Sequence, residues 1–262
     1  MSTKRAVLDN KLAVSAFSKQ GRLTSARPMN RIMLDIAANG ITMTNGKIWK
    51  TSRTLAVRIL NNFNKRIIEE HISEEANYLC ESIQEKLGAD LDVRGFHTKA
   101  IANVIFRITF GSRFPYDDKR FNILLQPVLN LTDDNFGTVL GILIIAPFMR
   151  HFPFLKQSYG KFISHIKVLQ GAVENIIAEH RGDYDEENCK DFIDYSLAEV
   201  NKGAVPDFTN VELVATVIDL VAAATETTTS VIRWCILAIL HYPYCQEKIA
   251  KELHDVVGTE EK

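Results

Sequence analysis

The chain has 262 residues, 46% hydrophobic and 24% charged, an ordinary globular composition that excludes disorder, collagen and coiled coil and suffices for one large core or two small ones. With 31 Lys+Arg against 32 Asp+Glu the formal net charge is −1, so no nucleic-acid or acidic-membrane footprint is expected. The four cysteines, Cys80, Cys189, Cys235 and Cys245, show no C-x-x-C spacing, which argues against a zinc ribbon, a redox motif or a secreted disulfide framework.

Met1 to Asn10 contain no apolar h-region, so neither a signal peptide nor an N-terminal anchor is expected. Glycine and proline are sparse, 13 and 7 in the chain, and apolar residues recur at three- and four-residue spacing, so most of the chain is expected to be helix. The first clear helix spans Gly46 to Asn61, with Ile48, Trp49, Ser52, Leu55, Ala56 and Ile59 on one face and Lys47, Lys50, Arg53 and Arg58 on another. A second runs from Arg66 to Leu87 with a stripe of Ile67, Ile68, His71, Ile72, Ala76, Leu79, Ile83 and Leu87, stopped by Gly88. Phe96 to Phe110, with Ile101, Ala102, Val104, Ile105, Phe106 and Ile108 apolar, predicts a core helix closed by Gly111, buried on most sides. A shorter helix is predicted for Asp118 to Leu131. Val139 to Phe148 is nearly all apolar but too short to span the roughly 30 Å of a bilayer's hydrocarbon core, although it can dip into one.

Tyr159 to Arg181 reads as another long helix, Gly182 to Lys190 as an acidic solvated loop, and Asp191 to Asn201 as a short helix followed by a loop over Lys202 to Asp207. Thr209 precedes Glu212 by three residues, a capping-box arrangement, and no Gly or Pro follows until Pro243. A helix of about 33 residues and about 50 Å is therefore predicted for Thr209 to Tyr242. Tyr244 to Val257 forms the last amphipathic helix, ended by Gly258. No repeat of 20 to 50 residues is present, which disfavours a solenoid.

Between Leu213 and Leu240 the long helix is apolar except for Thr216, for Asp219, Glu226 and Arg233, and for a hydroxyl cluster, Thr225, Thr227, Thr228, Thr229 and Ser230. The three charges are seven residues apart and share one face, and they interrupt any run long enough to cross a membrane. Clustered threonines can bond back to the preceding turn, so the helix is expected to loosen there. Ala222, Ala223 and Ala224 allow a bulky group close to the backbone. A buried central helix whose charges are satisfied by neighbours is the plainer reading. The combination of acid, threonine and small residues at mid-helix is also equipment for delivering protons to a ligand packed on it.

The segment Asp219-Leu-Val-Ala-Ala-Ala-Thr-Glu226-Thr227-Thr228 resembles the oxygen-activation motif of the central I helix of the cytochrome P-450 family, with Ala224 in place of the usual glycine. Trp49-Lys-Thr-Ser-Arg53 is similar to the family's W-x-x-x-R motif, and Ser25-Ala-Arg27-Pro28 to its S-G-R-P turn. Phe110-Gly-Ser-Arg-Phe, Asp191-Phe-Ile-Asp and Ile239-Leu-His-Tyr-Pro243 fall where microsomal members carry comparable strings. Arg53 lies four residues after Trp49, one helical turn on, so an indole N–H and a guanidinium can meet one carboxylate.

The resemblance implies a mainly α, incomplete cytochrome P-450 fold over residues 1–262, from the first sheet and B helix to the J helix, with the long helix central and the Trp49 helix packed near its middle. It further implies that Arg27, Trp49 and Arg53 hold the haem edge. Ala223, Ala224, Glu226 and Thr227 would face the distal side, Thr227 hydrogen-bonding the activated oxygen and Glu226 relaying protons. The implied activity is hydroxylation of small lipophilic substrates at the endoplasmic reticulum membrane, with electrons from NADPH-cytochrome P-450 reductase and residues 139–148 resting on the membrane surface.

None of the four cysteines lies in the family's glycine-rich ligand loop, and no arginine has a glutamate three residues before it. The axial ligand, the membrane anchor and the K helix are thus expected to be missing. The chain reads as a fragment of a haem enzyme, inactive alone. A di-iron bundle is excluded, because no histidine has a glutamate three residues before it. The alternative is a non-enzymatic truncated helical protein that binds hydrophobic ligands or partners.

Overall fold

The computed structural model describes residues 9–27, 29–30, 32, 35, 39–86, 88, 93–131 and 134–258. Among the described residues nine helices of ten or more residues carry the architecture: α1 Gly46–Asn62, α2 Lys65–Gln84, α3 Val93–Phe110, α4 Lys119–Leu131, α5 Asp134–Ile145, α6 Pro153–Gly182, α7 Phe192–Asn201, α8 Asn210–His241 and α9 Pro243–Val257. No strand occurs among the described residues, so the sheet that the resemblance implied upstream of α1 does not appear; short helical pieces at Asn10–Ala13, Val14–Lys19 and Gly21–Thr24 stand there instead. Pro28 and Leu87 lie outside the described residues.

The central position of α8 follows from its sequence. Leu213, Val217, Val221, Thr225 and Thr229 recur every four residues, are buried, and let α8 pack on α3, α6 and α1. Its start is fixed by the capping box, in which the Thr209 N–H and hydroxyl meet the Glu212 carboxylate while the Thr209 oxygen caps Val211 N. The threonine cluster does not loosen the helix. Thr227 and Thr229 donate to the carbonyls of Ala223 and Thr225 at 2.8 and 2.7 Å, and the backbone stays α-helical throughout.

Helix α3 has no fully exposed residue from Phe96 to Phe110, as expected of a core helix, and its polar Thr98, Asn103 and Thr109 are buried too. Phe106 is its centre, with the rings of Phe110, Phe114 and Phe121 at 5.2, 5.8 and 5.6 Å. The core continues through Leu55 and Ile59 of α1, Leu169 and Val173 of α6, and Phe192 and Ile193 of α7. A smaller cluster joins Val139 and Leu143 of α5 to Leu155 of α6 and Ile32.

The stripe expected on α2 is only partly buried. Ile68, His71, Leu79 and Ile83 are half-covered, whereas Ile67, Ile72 and Ala76 face solvent, and the one fully buried side chain is Glu75. Helix α6 begins at Pro153, six residues earlier than expected, because a proline is tolerated in the first turn. The apolar segment 139–148 is also divided: Val139 and Leu143 are core, while Ile145 and Phe148 are exposed, and the exposed series continues to Phe152 and Phe154.

The turn after α3 requires glycine. Gly111 has φ +65°, and a Cβ there would stand 2.6 Å from the Asp191 Oδ2 that joins α6 to α7. Gly203 has nearly the same φ, +66°, with nothing within 4 Å. Gly203→Ala is therefore expected to cost about 1 kcal/mol for the left-handed backbone alone, and Gly111→Ala at least about 2 kcal/mol more because the buried carboxylate must move. Urea midpoints of the two variants measure the difference.

Candidate functional site

Ser52, Leu55, Ala56 and Ile59 bury one face of α1 against α7 and α8. That seating fixes Trp49 one turn earlier, at the side of the core rather than inside it. The Arg27 guanidinium carbon lies 5.7 Å from the Trp49 ring and that of Arg53 5.8 Å, so two cations flank one indole. The indole Nε1 is buried and has no hydrogen-bond partner among the described residues. An unpaired buried donor is costly unless a ligand accepts from it, and beside two guanidiniums the fitting acceptor is an anion. Next to the ring an open cleft of about 540 Å³ is lined by Lys50, Arg53, Val57 and Arg58 among others. Arg58 is engaged elsewhere, 2.9 Å from Glu199.

Arg27 is held by its backbone. Its N–H donates to Asn45 Oδ1 at 2.7 Å, its carbonyl accepts from Asn45 Nδ2 at 3.0 Å, and its Nη1 donates to the Thr44 carbonyl at 3.3 Å. Thr44 in turn donates to the Gly40 carbonyl at 2.5 Å. The segment from Gly40 to Thr42 is tied to α8 by Asp219, which accepts from Thr42 N at 2.8 Å and Thr42 Oγ1 at 2.7 Å. A Cβ at Gly40 would collide with that carboxylate. Burial pushes the Asp219 carboxyl above the usual carboxylate range, against the pull of the Thr42 and Ile41 hydrogen bonds and of Arg27.

Two turns beyond Asp219, Glu226 accepts from Ser230 Oγ at 3.1 Å and lies 3.5 Å from Arg233 Nη2. Ala223 and Thr227 are exposed and continue into Val231 and Trp234 along one side of α8, while Ala224 and Glu226 are half-buried beside that stripe. The structure thus brings Arg27, Trp49 and Arg53 together, and gathers Ala223, Glu226 and Thr227 on α8. Asp219 links the two groups through residues 40–44. Asn45 and Asp219 were not among the site residues expected from the sequence. The seven-residue spacing of Asp219 from Glu226 was visible, but its partner lies 177 positions away.

The cytochrome P450 family model matches residues 1–262. The chain belongs to the cytochrome P450 family. It is similar to cytochrome P450 2J3 of Rattus norvegicus, 34% identical over 229 residues that cover 84% of this chain and 44% of that relative. Human cytochrome P450 2J2 is likewise 34% identical over 225 residues, with 84% and 44% coverage. Cytochrome P450 2G1 of Oryctolagus cuniculus is 30% identical over 264 residues, covering 98% of this chain and 51% of that protein. The chain spans about half the length of the curated relatives it matches. The family is one of monooxygenases, and its haem carries two carboxylates on one edge. The paired guanidiniums and the orphaned indole N–H of this P450 chain fit that edge chemically.

The cysteines of this P450 chain are all free thiols. Cys80 and Cys235 are exposed on α2 and α8, and burial and the charge of Asp194 push the Cys189 thiol up. Among the described residues one further group, His180 with Asp191 and Asp194, has the residue types of a metal site. Both His180 ring nitrogens are already engaged, with the Ile176 carbonyl at 2.8 Å and Asp191 Oδ2 at 2.9 Å, so it is an ion-paired joint between α6 and α7.

Proposed function

We propose that Arg27, Trp49 and Arg53 hold the propionate edge of a haem and that Ala223, Ala224, Glu226 and Thr227 form the distal wall of its pocket. The chain is then part of a haem-thiolate monooxygenase, and it is the whole enzyme that would hydroxylate small lipophilic substrates with electrons drawn from NADPH through a reductase. The observation that carries the reading is the buried Trp49 N–H, without an acceptor among the described residues, on an indole with two guanidiniums beside it. When bound, haem supplies the iron at which oxygen is activated. Arg27 and Arg53 neutralise the carboxylates and orient the edge. The exposed Ala223 leaves room for a flat group or substrate against α8. Thr227, whose hydroxyl here donates to Ala223 O, is a donor at that wall, and Glu226 holds and releases a proton at a carboxylate linked to Ser230 and Arg233.

No cysteine of this chain lies in the ligand loop described above, so we expect the 262 residues alone to be inactive. The working protein would sit at the endoplasmic reticulum membrane, with exposed Ile145, Phe148, Phe152 and Phe154 against the lipid; the family likeness and that exposed apolar series support the reading. No helix among the described residues is long and apolar enough to cross a membrane.

Hemin titration, followed by quenching of Trp49 in a Trp234→Phe background, tests the reading. Hemin is expected to bind more tightly than its dimethyl ester, and Arg27→Ala with Arg53→Ala is expected to erase the difference; equal affinity for acid and ester would overturn the propionate assignment. In the catalytically complete enzyme, Thr227→Ala is expected to raise NADPH consumption per product formed, and unchanged coupling counts against Thr227.

A further inference from the structure

Asn45 occupies the N-cap of α1, where an asparagine ordinarily accepts from an N–H of the first turn. Here its side chain makes no capping bond. Gly46 explains the freedom to do otherwise: as the first residue of the helix it has φ +64°, so the chain enters α1 through a left-handed residue. The Asn45 amide is turned instead to Arg27, 18 positions away, and meets both polar atoms of that residue's backbone, accepting from N–H at 2.7 Å and donating to C=O at 3.0 Å. This two-point bond imitates the pairing of a β-ladder between segments that form no strand.

We propose that Asn45 is a positioning residue for Arg27: it fastens the Arg27 backbone to the helix that carries Trp49 and Arg53, so that both guanidiniums flank the indole before any ligand arrives. This deepens the propionate reading and rests on it. Three observations support it. The helix start forgoes its own cap for this contact. Thr44, the adjacent residue, adds a third bond through its carbonyl to Arg27 Nη1 at 3.3 Å. The same stretch is anchored on α8, because Thr44 bonds to Gly40 and Thr42 bonds to Asp219. A cation held this way loses less side-chain and backbone freedom when a carboxylate binds, which raises affinity without adding a contact to the ligand.

Asn45→Ser is the informative variant. Serine is itself a good N-cap, so α1 keeps its start, but the hydroxyl is too short to reach both Arg27 atoms. In the Trp234→Phe chain, hemin and hemin dimethyl ester are titrated against the parent, Asn45→Ser and Arg27→Ala, with far-ultraviolet circular dichroism to confirm equal helix content. If Asn45 positions Arg27, Asn45→Ser loses roughly tenfold in hemin affinity, the ester is affected far less, and adding Asn45→Ser to Arg27→Ala costs little more. Hemin affinity unchanged in Asn45→Ser, with Arg27→Ala still weakened, overturns the positioning role and leaves the propionate site standing. A parent chain that does not distinguish acid from ester overturns both. Equal loss for acid and ester shows a merely structural residue and also overturns the proposal.

Discussion

A Glu75→Ala chain is expected to unfold about 3–5 kcal/mol more easily than the parent, the range for removing one partner of a buried ion pair. Glu75 is 1% exposed. It accepts from Arg113 Nε at 2.8 Å, from the Tyr116 hydroxyl at 2.6 Å and from Asn103 Nδ2 at 3.2 Å. One carboxylate therefore joins α2, α3 and the segment that follows α3. Without it the guanidinium, 18% exposed at its side chain, keeps only the faces of Tyr78 and Tyr116, at 3.6 and 5.4 Å. The Tyr116 hydroxyl, whose pKa burial and the Glu75 carboxylate push well above the usual tyrosine range, loses its acceptor. Ile72→Ser, on the exposed side of the same helix, is expected to change stability by less than about 0.5 kcal/mol. Urea denaturation of both variants checks the contrast, and similar losses would show that the apolar stripe, rather than the glutamate, seats α2.

The second large effect is a pH dependence. Burial alone would lower the His180 pKa, but the hydrogen bond and charge of Asp191 outweigh it, helped by the Ile176 carbonyl and the charge of Asp194, and raise it from 6.5 to about 9. His180 is 16% exposed and Asp191 3%, so solvent screens the pair little. A raised folded-state pKa gives stability that is complete below the unfolded value near 6.5 and is lost as pH climbs through about 9. The full loss corresponds to about 3 kcal/mol. His180→Gln, which has no charge to lose, is expected to be flat across this window. A parent chain equally stable at pH 6.5 and 9 would remove the imidazolium from the joint.

The sequence made the helices legible because their signals are local. Trp49 and Arg53 are one turn apart, and the Thr209–Glu212 box lies within one turn, so spacing alone placed them. The sites that spacing missed are held by distant partners. Glu75 looks like one acid among many on an amphipathic helix until Arg113, 38 positions on, folds over it. Asn45 looks like an ordinary cap, and nothing in the order of residues says that its amide is used 18 positions upstream. The α2 stripe misled for a related reason: apolar spacing shows which residues share a face, whereas the neighbour that covers a face is settled elsewhere in the chain.

Helix α8 is one element by geometry and two by thermodynamics. Up to Thr229 its four-residue series is buried among α1, α3 and α6; after it, Val231, Trp234, Leu237 and Leu240 are 61, 70, 53 and 73% exposed. A free helical stretch of about a dozen residues is marginal in water. Amide hydrogens should thus exchange along α8 in a gradient, slowly from Leu213 to Thr229 through global unfolding and quickly beyond Ser230 through fraying. The two tryptophans report on different parts, Trp49 on α1, whose buried face joins the core, and Trp234 on the fraying stretch of α8, so their emission should melt at different temperatures in the same molecule.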